Sequence, residues 1–64
     1  MWLAVDENGD EAIFRFEPIR LEDIYLPRDG DIESYVIVPK GTIERLLNYP
    51  LTWDDEAQEI TEYK

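Results

Sequence analysis

The residue types that most often carry catalysis are scarce in this chain. Its 64 residues include no histidine and no cysteine, which removes imidazole acid–base chemistry, thiolate chemistry and the usual structural zinc sites. Ser34 is the only serine, and Lys40 and Lys64 are the only lysines. The segment Lys40-Gly41-Thr42 lacks the upstream glycine of a P-loop, so it predicts a strand-to-helix turn. We therefore expect a protein that is not an enzyme and that binds no cofactor.

Carboxylates are abundant, and a first acidic cluster surrounds a predicted turn. It contains Asp6, Glu7, Asp10 and Glu11. The spacing of Asp6, Asn8 and Asp10 matches positions one, three and five of an EF-hand calcium loop. Glu17 falls at position twelve, but Glu11 occupies position six, where that loop requires glycine. We therefore expect no metal site, and the cluster is interpreted as a solvated turn or as a contact surface for a basic partner.

A second acidic cluster lies towards the C-terminus. It contains Asp54, Asp55 and Glu56, with Glu59 and Glu62 further along the chain. The whole chain has 16 acidic and 6 basic residues, and its formal net charge of −10 repels nucleic acids and anionic membranes. We expect no direct nucleic-acid binding and no membrane association, and cationic partners are favoured. The second cluster is interpreted as a solvated surface or, with the first, as a mimic of nucleic-acid phosphates.

A hairpin at Asn8-Gly9 is the strongest local prediction. This pair is typical of a two-residue type I′ turn, and it predicts strands at residues 1–6 and 11–16. In the register that follows, three apolar pairs face the core, namely Val5 with Ala12, Leu3 with Phe14, and Met1 with Phe16. The opposite face pairs Asp6 with Glu11, Ala4 with Ile13, and Trp2 with Arg15.

This register predicts an apolar patch on the face opposite the core. The patch contains Trp2, Ala4 and Ile13. Arg15 lies opposite Trp2 in this register, where a cation–π contact can form. If the patch is exposed it is a candidate interface. In the alternative interpretation, Trp53 or Tyr63 from the C-terminal segment covers Trp2 within the monomer.

The middle of the chain predicts a second hairpin. Pro18 interrupts the second strand, and residues 17–23 are interpreted as a connection or an irregular edge. Asp29-Gly30 then favours a turn before a strand at residues 33–38, and residues 24–26 are interpreted as a short edge strand or a loop.

The second half of the chain predicts one helix and a final strand. Ile43, Leu46 and Leu47 form the only stripe with helical spacing, so we predict a two-turn helix over residues 40–48. Gly41 or Thr42 caps its start, and Asn48 takes the left-handed position at its end. Residues 57–63 favour a strand. The order β-β-(β)-β-α-β predicts one α+β domain over residues 1–64, a small antiparallel sheet with one short helix packed on one face.

Three segments resemble small proteins of bacteriophages and mobile elements from gut bacteria. They are residues 38–46 (VPKGTIERL), residues 51–56 (LTWDDE) and the opening residues 2–14, with their D-x-N-G-x-E-x-I-F character. The shared motifs are structural turns, and the resemblance implies no activity or site residues. It implies an accessory gene and a location in the cytoplasm of a bacterial host.

These features favour a non-catalytic interaction protein that binds a basic host protein and modulates it. The candidate interaction residues are Trp2, Ile13, Arg15, Asp6, Glu7, Asp10, Glu11, Asp54, Asp55 and Glu56. The alternatives are a nucleic-acid mimic that blocks a DNA- or RNA-binding protein, and a structural homo-oligomer, with a homodimer formed through edge strands or through Trp2. The chain has no apolar run of membrane-spanning length and no basic, apolar start typical of a signal peptide, so we expect a soluble protein, and the resemblance implies that it is cytoplasmic.

Overall fold

The computed structural model describes residues 1–61, which form a small antiparallel sheet with one short helix. The elements are β1 (Trp2–Val5), β2 (Glu11–Phe14), β3 (Ile19–Arg20), β4 (Tyr25–Leu26), a 3-10 turn (Ile32–Ser34), β5 (Tyr35–Val38), α1 (Thr42–Leu47) and β6 (Gln58–Glu59). The main sheet has the strand order β5-β2-β1-β6, while β3 and β4 form a separate two-stranded ribbon. The predicted α+β class is confirmed. The predictions for Glu62 and Tyr63 lie outside the described residues.

The first hairpin forms, but the predicted two-residue type I′ turn is wrong. Gly9 has a φ of +94°, whereas Asn8 lacks the positive φ that this turn requires. The Gly9 amide donates to the Asp6 carbonyl (2.9 Å), and the Asp6 amide donates to the Asp10 carbonyl (2.8 Å). The loop therefore has three residues, 7–9, in the pattern of a type I turn followed by a left-handed glycine.

The longer loop shifts the predicted strand register by one residue. Trp2 pairs with Phe14, and Leu3 pairs with Ile13, where the sequence predicted Leu3 opposite Phe14. Because successive side chains point to opposite faces, the shift separates residues that were expected to share a face. Phe14 lies on the opposite face from Leu3, and Phe16, predicted to be in the core, is 54% exposed.

Both faces of the main sheet are covered, so the domain has two small cores. On one face, α1 and the segment after it pack against the sheet in a cluster of Leu3, Val5, Ile43 and Leu51. On the other face a second cluster contains Ala4, Ala12, Phe14 and Tyr25. The β3–β4 ribbon supplies Tyr25 to this second cluster, and Trp53 packs against it. The helix covers one face as predicted, and the second core was not predicted.

The predicted second hairpin is wrong, because β5 pairs with β2 and β4 pairs with β3. The segment between β4 and β5 forms compact turns instead. Gly30 has a φ of +72°, and its amide donates to the Pro27 carbonyl (3.0 Å). The Asp29 carboxylate accepts from the Asp31 amide, and the Asp31 carboxylate accepts from the Glu33 amide. These side-chain acceptors stabilise a turn that is followed by the 3-10 turn. The chain then enters β5, on the side of β2 away from β1.

The predicted helix is confirmed as α1, with six residues. Ile43 is buried, Leu47 packs against the same core, and Leu46 is about half exposed. Asn48 has a φ of +69°, and its amide donates to the Glu44 carbonyl, so it ends the helix as predicted. Within residues 1–61, no helix has the length and apolarity needed to cross a membrane.

Part of the predicted final strand is present as β6, which pairs with β1 at the sheet edge. The Ile60 amide donates to the Met1 carbonyl (2.8 Å), and the Met1 amino group donates to the Ile60 carbonyl (3.1 Å). These bonds connect the start of the chain to its last described segment.

Candidate interaction surface

A shallow cleft of about 370 Å³ brings parts of the two acidic clusters together. Its acidic lining residues are Asp6, Glu7, Glu11 and Asp54, and its apolar ones are Val5, Leu51 and Trp53. The β1–β2 hairpin supplies the first three acids, and the segment after α1 supplies Asp54. We name this feature the acidic cleft. It places carboxylates that are distant in sequence around an apolar lining.

Asp6 connects the hairpin turn to β4. Its Oδ1 accepts a hydrogen bond from the Tyr25 amide (2.8 Å), and nearby the Glu7 amide donates to the Asp23 carbonyl (3.0 Å). Burial raises the pKa of the Asp6 carboxyl, the hydrogen bond from Tyr25 lowers it, and the negative charges of Asp10 and Asp23 raise it further. The balance is a raised pKa, so the turn holds a carboxylate in surroundings that disfavour its charge.

Asp6→Asn is expected to stabilise the protein at neutral pH. Asparagine keeps an oxygen for the Tyr25 amide and suits the first position of a type I turn, but it removes the partly buried charge. Because the pKa of Asp6 is higher in the folded state, the native protein binds more protons between the ordinary and the raised pKa. The stability contributed by this group therefore falls as the pH rises through that window.

Urea unfolding from pH 3 to pH 7 measures this effect. The midpoint of Asp6→Asn should exceed that of the wild type at pH 7, and the difference should shrink as the pH falls and the wild-type Asp6 becomes neutral. Asp54→Asn is the control, since it makes the same charge change at an exposed position. A midpoint of Asp6→Asn at or below that of the wild type at pH 7 would contradict the stated role of Asp6.

Glu11 was predicted as an interaction residue, and the structure places it at the start of α1. Its Oε2 accepts from the Gly41 amide and its Oε1 accepts from the Ile43 amide, both at 2.9 Å. Gly41 is the N-cap residue, with a φ of +98° and no side chain of its own to accept these bonds. A carboxylate from β2 therefore caps the helix, and both of its oxygens already accept hydrogen bonds within the protein.

The calcium-like spacing of Asp6, Asn8 and Asp10 forms a hydrogen-bonded turn. The Asn8 carboxamide accepts from the Asp10 amide (2.9 Å) and donates to the Asp10 carboxylate (3.1 Å). A Cβ placed on Gly9 would lie 3.4 Å from the Lys40 ammonium, so that basic group lies over the same turn. Within residues 1–61, no three acidic residues are arranged to hold a metal ion.

The second acidic cluster is divided between different surfaces. Asp54 is exposed and lines the acidic cleft. The Asp55 carboxylate accepts from the Thr52 amide (2.9 Å) and hydroxyl (3.1 Å), so it stabilises its own turn. Glu56 lines another depression together with Arg20. Of Asp54, Asp55 and Glu56, only Asp54 lines the acidic cleft with the first cluster.

The predicted patch of Trp2, Ala4 and Ile13 does not form. Under the observed register Ala4 is buried and Trp2 is half-buried against the second core, while Ile13 packs on the opposite face against the first core. Trp2 lies opposite Phe14, so the predicted Trp2–Arg15 pair is also wrong. Ile13 and Arg15 instead line a depression of about 530 Å³ beside β5.

A cation–π contact that the sequence did not reveal involves Arg20. Its guanidinium carbon lies 3.6 Å from the Trp53 ring centroid and 5.8 Å from that of Tyr25, and the two rings pack edge to face at 5.6 Å. Only the packing of the β3–β4 ribbon beside Trp53 creates this contact, and no short sequence motif indicates it. This contact fixes the ring of Trp53, which also lines the acidic cleft.

Comparison with protein-family models, with curated proteins and with solved structures gave no match to this chain. The resemblance to phage and mobile-element proteins therefore stays a prediction.

Proposed function

We propose that this protein is a non-catalytic interaction module whose acidic cleft binds a basic surface of another protein. The observation that supports this most directly is that Glu7 and Asp54, from distant parts of the chain, line one cleft together with Leu51 and Trp53. Acidic groups around an apolar lining suit an arginine or lysine side chain, which has a cationic end and an apolar stem. The partner's basic group would lie near the acids, with its stem on the apolar lining.

The charge of the whole chain supports the same proposal. A net charge of −10 accelerates the encounter with a basic partner, and the acceleration decreases as salt screens the attraction. The phage-type resemblance adds a cytoplasmic host protein as the partner and modulation of that protein as the result. A nucleic-acid mimic needs a longer acidic array on one side. Since Asp55 is held in its own turn and Glu56 lies in another depression, recognition of a basic protein surface by the cleft is better supported than mimicry of a nucleic acid.

A binding experiment with matched variants tests the cleft. The immobilised protein is used to retain partners from a bacterial lysate at salt concentrations of about 0.05 M and 0.5 M, and retained proteins are then measured individually for affinity. Glu7→Gln combined with Asp54→Asn removes two exposed cleft charges without touching the capping residue Glu11. We expect this double variant to weaken binding by roughly tenfold or more, with a smaller effect at high salt.

The control is Glu17→Gln combined with Glu44→Gln, which makes the same charge change at exposed positions that do not line the cleft. Its affinity should stay within about twofold of the wild type. If the two double variants weaken binding equally, the net charge rather than the cleft is responsible, and the proposed site is wrong. Displacement of the partner by duplex DNA would favour the mimic instead.

A further inference from the structure

The outer strand β5 differs from the rest of this highly charged surface. Within residues 1–61 it forms one edge of the main sheet and pairs only with β2, and its residues Tyr35-Val36-Ile37-Val38 carry no charge. Val36 is 55% exposed and Ile37 is 56% exposed, on opposite faces of the strand. The other edge, β6, has two residues and includes Glu59. Natural proteins usually protect a free edge with charges, prolines or bulges, and β5 has no charge or proline within its four residues.

The alternation of hydrogen bonds between β2 and β5 determines which amide and carbonyl groups of β5 point towards the outer edge. The Arg15 amide donates to the Ser34 carbonyl (2.8 Å), so this opposed pair is hydrogen-bonded. Because bonded and non-bonded pairs alternate in an antiparallel ladder, Val36 and Val38 also bond towards β2. The amide and carbonyl groups of Tyr35 and Ile37 therefore point away from β2, along the free edge.

An apolar groove lies beside this edge on the Ile37 face. It has a volume of about 360 Å³ and is lined by Ile19, Leu26, Pro27, Ile32 and Tyr35, among others. Tyr35 and Ile37 share a face because they are two residues apart in a strand. The edge thus presents an exposed apolar side chain, Ile37, two residues from an apolar groove on the same face.

We propose that β5 pairs antiparallel with β5 of a second copy of this chain to form a symmetric dimer. The register places Tyr35 of each copy opposite Ile37 of the other, which allows four main-chain hydrogen bonds between the copies. Val36 meets its own symmetry mate at the two-fold axis. Ile37 of each copy then lies beside Tyr35 of the other copy, against the apolar groove of that other copy. The same surface is both donor and acceptor of the contact, as a two-fold interface requires.

The charges near β5 allow this pairing in spite of the net charge. In the proposed register Glu33 lies opposite Pro39 and Lys40 lies opposite Ile32, so no like charges oppose each other. The Lys40 side chain turns back over Gly9, away from the free edge. The overall repulsion between two chains of charge −10 is screened by salt. The dimer should therefore strengthen as salt rises, whereas binding at the acidic cleft weakens.

Sedimentation of the full chain tests the dimer over concentrations from about 1 to 200 µM, where self-association shifts the measured mass. The wild type should change from monomer to dimer, and Ile37→Lys should weaken dimerisation at least about tenfold by adding a charge to the edge. Leu46→Lys is the control, since Leu46 on α1 is 49% exposed, close to the 56% of Ile37. A wild type that stays monomeric, or that grows beyond a dimer, overturns the proposal, as does an Ile37→Lys variant that dimerises like the wild type.

A cysteine variant tests the register separately. Val36→Cys introduces the only thiol in the chain at the proposed two-fold axis, where a non-bonded antiparallel pair has Cα atoms about 4.5 Å apart, within the range of a disulfide. Mild oxidation should cross-link Val36→Cys much faster than Leu46→Cys at equal concentration. Equal rates would overturn this register. Because β5 does not line the acidic cleft, both results are independent of the proposed binding function.

Discussion

Phe14→Ala is expected to unfold most of the protein at room temperature. Phe14 is 1% exposed and is one of the largest fully buried side chains, and its ring stacks on Tyr35 at 5.1 Å. Truncating a buried phenylalanine removes about 3–5 kcal/mol of stability. A domain of about this size without disulfides has only about 3–5 kcal/mol in total from its core. Urea unfolding followed by tryptophan fluorescence should show a small or absent folded baseline for this variant.

Phe16→Ala is the matched control, and it distinguishes the observed register from the predicted one. The predicted register puts both phenylalanines in the core, whereas the structure leaves Phe16 half exposed. We expect Phe16→Ala to change the free energy of unfolding by no more than about 0.5 kcal/mol. Equal destabilisation by the two substitutions would contradict the observed register and the second core that depends on it.

Glu11→Ala is expected to lower the free energy of unfolding by about 1–3 kcal/mol, because it leaves the Gly41 and Ile43 amides without their acceptors. In a domain of this size each kcal/mol lowers the unfolding temperature by about 4–8 °C, so thermal unfolding followed by circular dichroism measures the effect. Six residues are too few for a helix that is stable alone, so α1 should lose its order when the cap is removed.

Two further variants separate the cap from the charge. Glu7→Ala removes the same charge from an exposed neighbour in the hairpin loop, and its unfolding temperature should stay close to that of the wild type. Glu11→Gln retains one acceptor oxygen and should be intermediate. If Glu11→Ala lowers the unfolding temperature no more than Glu7→Ala does, the helix cap contributes little to stability.

Local patterns were sufficient to predict several elements. The stripe of Ile43 and Leu47, followed by Asn48 and Pro50, predicts α1 and its end because spacing and capping act over a few residues. The turn at Gly9 and the strand rich in β-branched residues before Pro39 are local in the same sense. The α+β class follows from these elements.

The strand register needed information that local patterns do not contain. The prediction assumed that one face of the hairpin is solvated, so that a shift of one residue would expose the core side chains. In the structure both faces are covered, and β1 and β2 are apolar on both sides, so alternation favours neither register. The length of the hairpin loop then determines the register. This loop is stabilised by two hydrogen bonds, one from the Gly9 amide to the Asp6 carbonyl and one from the Tyr25 amide to the Asp6 carboxylate.

The candidate interaction surface was also predictable only in its local features. The sequence identified the acidic clusters, but the role of each carboxylate depends on which strands are neighbours. Glu11 reaches the start of α1 because β2 lies beside β5, where the sequence had predicted a different partner for β5. The role of Asp55 in its own turn was detectable in principle, because a threonine three residues before an aspartate is typical of a turn stabilised by side-chain hydrogen bonds.

The covering of both sheet faces restricts where recognition can evolve. A protein with one bare sheet face can change a broad, flat surface without disturbing its interior. Here the wide surfaces of the sheet are occupied by the helix on one side and by the β3–β4 ribbon and Trp53 on the other. We therefore expect substitutions that alter partners while sparing the fold at the rim, in the hairpin loop and along the outermost strand.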